Sequence, residues 1–350
     1  MKINRKNFGV LSTGEDVYLY TIENEQMSFS VTNFGCVITN IMVPNKNGVK
    51  EDITLGYTNI DGYLNAHGGP YFGAFIGRFA NRIAKATFNL NGKTYKLDAN
   101  DGVNNLHGGF RGYDKMLFSA EEIVTCKGTG VRFTRKSPDG EQGFPGNLLI
   151  EVTYLLNNKN EILLEYKAWT DKATPVNFTN HTYFNLSGNS YNTIFNHELM
   201  INANAYTEPA SDLIPTGKLI NVEDDKAFDF RKSKLIGKDF ASVKGGYDHN
   251  FVVNREKNTP NDVLTLNAKA YEETSGRSLT VYSNQPGIQF YAGNAVGGAE
   301  GKYGQIYENN QGFCLETQAF PDAPNHENFP SCILNPGEEY NAKTIFAFAW

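Results

Sequence analysis

Apolar and polar positions alternate with a period of two in many stretches of the chain. Met27, Phe29 and Val31 are separated by Ser28, Ser30 and Thr32, and near the other end Ile345, Ala347 and Ala349 are interleaved with Phe346, Phe348 and Trp350. That period belongs to extended backbone, so strands are predicted towards both ends of the chain. Apolar residues nowhere recur at i, i+3, i+4 and i+7 for more than about two turns, so any helices are expected to be short and peripheral. Between Ala86 and Leu97, ATFNL and KTYKL flank Asn91-Gly92, two residues that accept the positive φ of a type I′ turn, and a hairpin is predicted there. Asn47-Gly48, Asp61-Gly62 and Asp139-Gly140 predict further turns. Strand-like segments run from end to end with no linker-like stretch and no repeat of fixed period. The expectation is an all-β chain forming one large sandwich, a single domain over residues 1–350; length alone also permits two sandwiches meeting near residues 170–190.

Composition supports sheet, with 13% aromatic residues and 34 glycines, and the 40% hydrophobic content of the 350 residues suits a folded globular chain. A net charge of −6 offers nothing to neutralise a phosphate backbone, which argues against nucleic acid as a partner. The apolar runs fall far short of the roughly 20 residues that a bilayer-spanning helix needs, so no membrane anchoring is expected. Lys2, Arg5 and Lys6 are followed by no apolar run, so the N-terminus does not read as a signal peptide. A cytoplasmic protein is expected, although an exported protein with its leader already removed would read the same way. The four cysteines, Cys36, Cys126, Cys314 and Cys332, form no C-x-x-C pair and read as free thiols. The six histidines form no metal-ligand spacing, and neither a P-loop nor a dinucleotide fingerprint occurs, so no metal and no nucleotide cofactor is expected.

Several segments break the alternation with polar chemistry. GRFANRI (77–83) presents Arg78, Asn81 and Arg82, which offer either a fork of donors for hydroxyl groups or a solvated pair of arginines. In NNLHGG, His107 precedes two glycines that let the backbone approach something closely. In NHTYFNLSG, His181 and Tyr183 share one face of a strand, either as a proton donor with its orienting partner or as a satisfied polar pair. In YDHNF, Asp248 and His249 face opposite sides, so only one is expected to enter a given pocket. Gln289 and Tyr291 share a face in QPGIQFYAGN. Glu316 follows Phe313, Cys314 and Leu315, and a carboxylate in so apolar a run is costly unless paired or used. Burial raises such a carboxyl's pKa, as a general base working near neutral pH requires. Together these residues suit acid and base chemistry on a small, neutral, hydroxyl-rich ligand.

Taken in order, GRFANRIAKATF, LHGG with GYDK, NHTYFNLSG, LIPTGKL, FDFRK, YDHNF, QPGIQFYAGN and GFCLETQAFPDAPN resemble the aldose 1-epimerase (galactose mutarotase) family over residues 77–325. The resemblance implies a large antiparallel β-sandwich, the mutarotase-like supersandwich, and an isomerase that interconverts the α and β anomers of hexoses such as galactose and glucose. It implies that Glu316 takes the proton of the anomeric hydroxyl while His181 gives one to the ring oxygen. The ring then opens, C1–C2 rotates, and closure gives the other anomer. Asn81, Arg82, His107, Asp248 and Gln289 match the positions that hold the sugar, and Tyr183 stands behind them. No cofactor is implied, and the expected partner is a monosaccharide bound by a monomer or homodimer. Two departures stand out, Phe118 where the family often has a tryptophan after GYDK and TEPASDL before IPTG, and both bear on the wall of the sugar site.

Three other readings compete. A hexose-6-phosphate 1-epimerase of the same fold would need more cations than Arg78 and Arg82 to hold a dianion. A glycoside hydrolase would use Asp248 and Glu316 as its carboxylate pair. A non-catalytic carbohydrate-binding protein would have no use for a costly buried base.

Overall fold

A computed structural model describes residues 1–66, 68–188, 192–256 and 259–350. One of the six histidines, His67, lies outside the described residues. Three large antiparallel sheets dominate. A five-stranded sheet runs in chain order from Lys2–Val10 to Lys50–Asp52. A nine-stranded sheet begins at Ser119–Thr125, and in it Glu161–Thr170 pairs with Tyr340–Ala349, so one sheet contains segments from both sides of residues 170–190. The six-stranded sheet has the spatial order Tyr183–Phe184, Phe313–Gln318, Gly287–Tyr291, Asp248–Val253, Ala203–Pro209 and Pro215–Asn221.

The sheets pack as a sandwich because each buries its apolar alternate positions against another. Tyr20 of the five-stranded sheet meets Phe133 of the nine-stranded sheet edge to face at 6.2 Å, and Phe184 of the six-stranded sheet meets Phe346 at 5.2 Å. One apolar cluster draws on all three sheets, including Phe29, Val152, Phe290 and Phe348. Truncating a fully buried Phe such as Phe290 removes about 3–5 kcal/mol, transfer and cavity terms together.

The predicted elements are largely found. Ser28–Thr32 and Tyr340–Ala349 are strands, with Phe346 and Phe348 facing inward. Thr87–Leu90 and Lys93–Lys96 form the hairpin, with Asn91 at φ 51° and Gly92 at φ 75°. Among the described residues the α-helical content is one short segment, Ile60–Asn65, and no helix is long and apolar enough to cross a membrane. That helix corrects one expectation: Asp61-Gly62 is no turn but its first part, because the side chain of Asn59 caps it by accepting the Gly62 N–H at 3.2 Å.

The glycines after His107 also have a definite task. Gly108 has φ 90°, and a Cβ there would lie 2.2 Å from the carbonyl oxygen of Gly77, so what the backbone approaches is the Gly77–Arg78 segment of this same chain. Gly108→Ala is expected to lose about 2–3 kcal/mol of stability from the collision and the strained φ. A thermal-unfolding midpoint equal to that of the wild type would contradict this.

Candidate active site

The six-stranded sheet is the floor of the site. Its register aligns Tyr183, Cys314, Tyr291 and Asp248 as successive cross-strand partners, and in the next row Glu316, Gln289 and Asn250. Paired residues in an antiparallel ladder point to one side, so both rows face the same way. Their intervening neighbours Leu315, Ile288, Phe290 and Phe251 are buried in the core on the other side. The alternation that makes these segments strands therefore also gathers the polar groups onto one face.

Loops bring the rest. The short ladder of Arg82–Ile83 with Asn105–Leu106 sets Asn81, Arg82 and His107 beside the floor. Asn81 and His107 both have positive φ, 65° and 53°, and the His107 N–H donates to the Asn81 carbonyl at 3.2 Å. His181 follows the strand Thr179–Asn180, and its N–H donates to the Ala74 carbonyl at 2.9 Å.

These groups border a cavity of about 1100 Å³. Of the residues singled out from the sequence, Asn81, Arg82, His107, His181, Tyr183, Asp248 and Glu316 line it. Gln289 does not: it is 3% exposed and its amide donates to Asp248 Oδ1 at 2.7 Å, which makes the support of Asp248 its visible role. Arg78 is corrected outright. It is buried away from the cavity, with its guanidinium donating to the carbonyls of Pro145 at 2.7 Å and Gly146 at 2.9 Å and to the Ser137 hydroxyl. Asp248 and His249 both border the cavity, against the expectation for a strand, and Tyr206, Ile220 and Phe228 border it as well. The His249 ring lies 4.6 Å from that of Phe228. Of the two family departures, Phe118 is core, packed on Phe75, whereas Glu208, Pro209, Ala210, Ser211 and Leu213 form cavity wall.

In the cavity wall, His181 Nε2 lies 3.6 Å from Glu316 Oε1, and Oε2 of Glu316 is buried without a hydrogen-bond partner. Burial pushes the Glu316 carboxyl well above the usual carboxylate range; Asp248 adds to the effect and Arg82 opposes it. Burial draws the His181 imidazole down to about 4, with its own backbone carbonyl opposing. Tyr183 stacks on the His181 ring at 5.0 Å, the shared face expected from the sequence. Arg82 donates from Nε to Asp101 at 2.8 Å and sets Nη1 3.8 Å from Asp248. The Asn81 side-chain carbonyl accepts the Arg82 N–H at 2.8 Å, so what Asn81 offers a ligand is its NH2 group.

Sequence reasoning missed Tyr71, which packs edge-on to His107 at 4.7 Å and tilts over His181 at 5.8 Å, and it missed Asp101. Tyr71 lies in the glycine-rich approach GGPYFG, a usable signal; nothing local marks Asp101.

Ligand atoms of His107, His181 and Glu316 lie within 4.8 Å of one another, an arrangement reminiscent of two-histidine, one-carboxylate metal sites. The tautomer of His107 argues against that use. Its Nδ1 accepts the Asn81 N–H at 3.1 Å, so in the neutral ring the proton sits on Nε2, which leaves no lone pair for a cation.

A family model described as Aldose 1-epimerase matches residues 18–347. The chain is 43% identical to galactose mutarotase from Sus scrofa over 352 aligned residues, covering 100% of this chain and 99% of that protein. It is 36% identical to aldose 1-epimerase of Escherichia coli K12 over 96% of each. Among solved structures, the GalM/aldose epimerase homologue from C. elegans superposes with a TM-score of 0.85 at 28% identity, covering 94% of this chain and 98% of that one.

Proposed function

Because the chain belongs to the aldose 1-epimerase family and is an enzyme that interconverts the α and β anomers of a hexose, we propose that Glu316 is its general base and His181 its general acid. The observation that carries this is the buried pair itself: a carboxylate oxygen without a partner beside an imidazole whose Nε2 lies 3.6 Å from the other oxygen, both bordering a cavity whose other polar lining groups suit hydroxyls. Glu316 takes the proton of the anomeric hydroxyl while His181 Nε2 delivers one to the ring oxygen. The C1–O5 bond breaks to the aldehyde, C1–C2 rotates, and the reverse transfers close the ring with the opposite configuration. Asp248 and Arg82, with Asn81 and His107 beside them, hold the remaining hydroxyls so that only the anomeric carbon turns.

The choice of His181 over His107 as acid has a physical reason. An acid that ends neutral must start as imidazolium. His107 Nδ1 accepts a backbone N–H and would lose that bond on protonation, whereas Nδ1 of His181 faces the Cys314 sulfur at 3.5 Å and can carry a proton. The working pair holds one proton. Glu316 ionised with His181 charged begins the reaction, and the protonated carboxyl with neutral imidazole accompanies the open chain. Burial favours that neutral arrangement in the empty pocket, and sugar hydroxyls entering the site favour the charged one. A bell-shaped pH–rate profile is expected, since adding or removing a proton from the pair stops turnover.

We further read the substrate as the free hexose, galactose or glucose. The cations at the cavity among the described residues are Arg82 and Lys244, and Arg82 is already held by Asp101, a poor provision for a phosphate dianion. We read the enzyme as a cytoplasmic monomer or homodimer, forming a single domain and working without nucleic acid. Polarimetry on freshly dissolved α-D-glucose and α-D-galactose tests the proposal. Wild type is expected to outrun the buffer on both, and His181→Ala to retain about a hundredth of the rate or less. A His181→Ala variant as fast as wild type would overturn the assignment of the acid.

A further inference from the structure

Cys314 and Glu316 lie two residues apart on one strand and face the same way, and the His181 ring lies along them with one nitrogen at each. Sγ of Cys314 is 3.5 Å from Nδ1, and Glu316 Oε1 is 3.6 Å from Nε2. Cys314 is 0% exposed. We propose that Cys314 is the positioning residue for His181: its sulfur accepts the Nδ1–H, holds that proton on Nδ1 throughout the cycle, and so reserves Nε2 for exchange with the sugar's ring oxygen. The inference rests on His181 being the acid.

The chemistry favours sulfur in this role. After Nε2 has given its proton away, the neutral ring must keep the other proton on Nδ1; with the tautomer reversed, Nε2 would have no lone pair with which to take the proton back when the ring closes. Something must therefore accept at Nδ1. A carboxylate there would stabilise the imidazolium strongly and make His181 a poor donor to the weakly basic ring oxygen. A thiol is a weak acceptor, so it fixes the tautomer while leaving the ring acidic. Burial keeps the Cys314 thiol well above its usual range, reinforced by Glu316 and Asp248, so the sulfur stays neutral beside the carboxylate. The other titratable groups packed round His181 are Tyr71, His107, Tyr183 and Tyr291, which meet its faces and edges with ring centroids 5.0–6.5 Å away.

The test compares Cys314→Val, which fills the space without an acceptor, and Cys314→Ser, which restores one, with wild type and His181→Ala on α-D-galactose. The imidazole nitrogens of His181 are followed by ¹⁵N NMR. Cys314→Val is expected to lower kcat about tenfold with KM within about twofold, and to move the His181 proton from Nδ1 towards Nε2. Cys314→Ser is expected to recover most of the rate and the wild-type tautomer. A Cys314→Val variant with wild-type kcat and tautomer overturns the proposal, as does a loss of rate in both variants with the tautomer unchanged, which is packing alone. If His181→Ala itself keeps the wild-type rate, the assignment of the acid has failed and this proposal with it; if His181→Ala is inactive and Cys314→Val is not, only the role of Cys314 has failed.

Discussion

Glu316→Gln is expected to lower kcat by about three orders of magnitude or more, and at the same time to make the protein more stable at neutral pH. The loss follows from removing the group proposed to take the anomeric proton, a contribution of about 10²–10⁴ for general base catalysis alone. With the base gone, His181 has no partner with which to share a proton, so the acid step suffers too. The gain follows from the sign of the shift. A carboxyl whose folded pKa is raised binds protons more readily folded than unfolded, so it detracts from stability once the pH exceeds its unfolded value. Glutamine keeps the shape and removes the charge; about 1–2 kcal/mol of stabilisation is the expected scale. Sugar affinity should change far less than kcat, because Asn81, Arg82, His107 and Asp248 remain. Calorimetric unfolding and sugar titration of the variant check both halves. A variant that turns over normally, or one inactive because it is unfolded, would count against this account of the site.

Acidification is expected to unfold the protein in the window between about pH 6.5 and 4. Three buried histidines use a ring nitrogen to accept a backbone N–H: His107 from Asn81 at 3.1 Å, His197 from Leu186 at 2.9 Å and His249 from Asp248 at 3.0 Å. An imidazolium has no lone pair, so protonation breaks each bond and charges a buried ring. Burial holds His197 and His249 down at about 4, with nearby carboxylates opposing, and holds His107 well below its usual value. Each folded pKa lies below the unfolded one, so the unfolded chain binds more protons across this window and stability falls as pH falls. For His197 and for His249 a shift of that size corresponds to about 3 kcal/mol each, and the two together are a large part of the total stability of a domain. The raised carboxyls of Glu316, Asp114 and Asp322 oppose the trend in part. Unfolding midpoints measured from pH 7 to pH 4 check this, with His197→Gln expected to flatten the curve. A midpoint independent of pH would contradict it.

Much of the site was legible because the strand period is short and strict. Two residues of spacing put Gln289 with Tyr291 and His181 with Tyr183; the sheet keeps the first pair on one side, and the second pair meets by ring stacking although His181 lies just outside the strand. Register across strands was not legible. That Tyr183, Cys314, Tyr291 and Asp248 form one row depends on which strands neighbour each other, which no local pattern records. Arg78 was misread because a buried arginine satisfied by distant carbonyls has the same local sequence as one facing a ligand. Asp61-Gly62 was misread because the capping residue, Asn59, lies outside the dipeptide that signals a turn. That Tyr206, Ile220 and Phe228 border the cavity could not be read either, since in sequence they look like core residues.

The central claim is that Glu316 and His181 act as one unit on a shared proton, and a double-mutant cycle on the anomerisation rate tests it most directly. Polarimetry on α-D-galactose would compare wild type, Glu316→Gln, His181→Asn and the double variant. If the two residues form one proton-carrying pair, the double variant is about as slow as the slower single variant. Losses that multiply, or single variants close to wild type, would contradict the account.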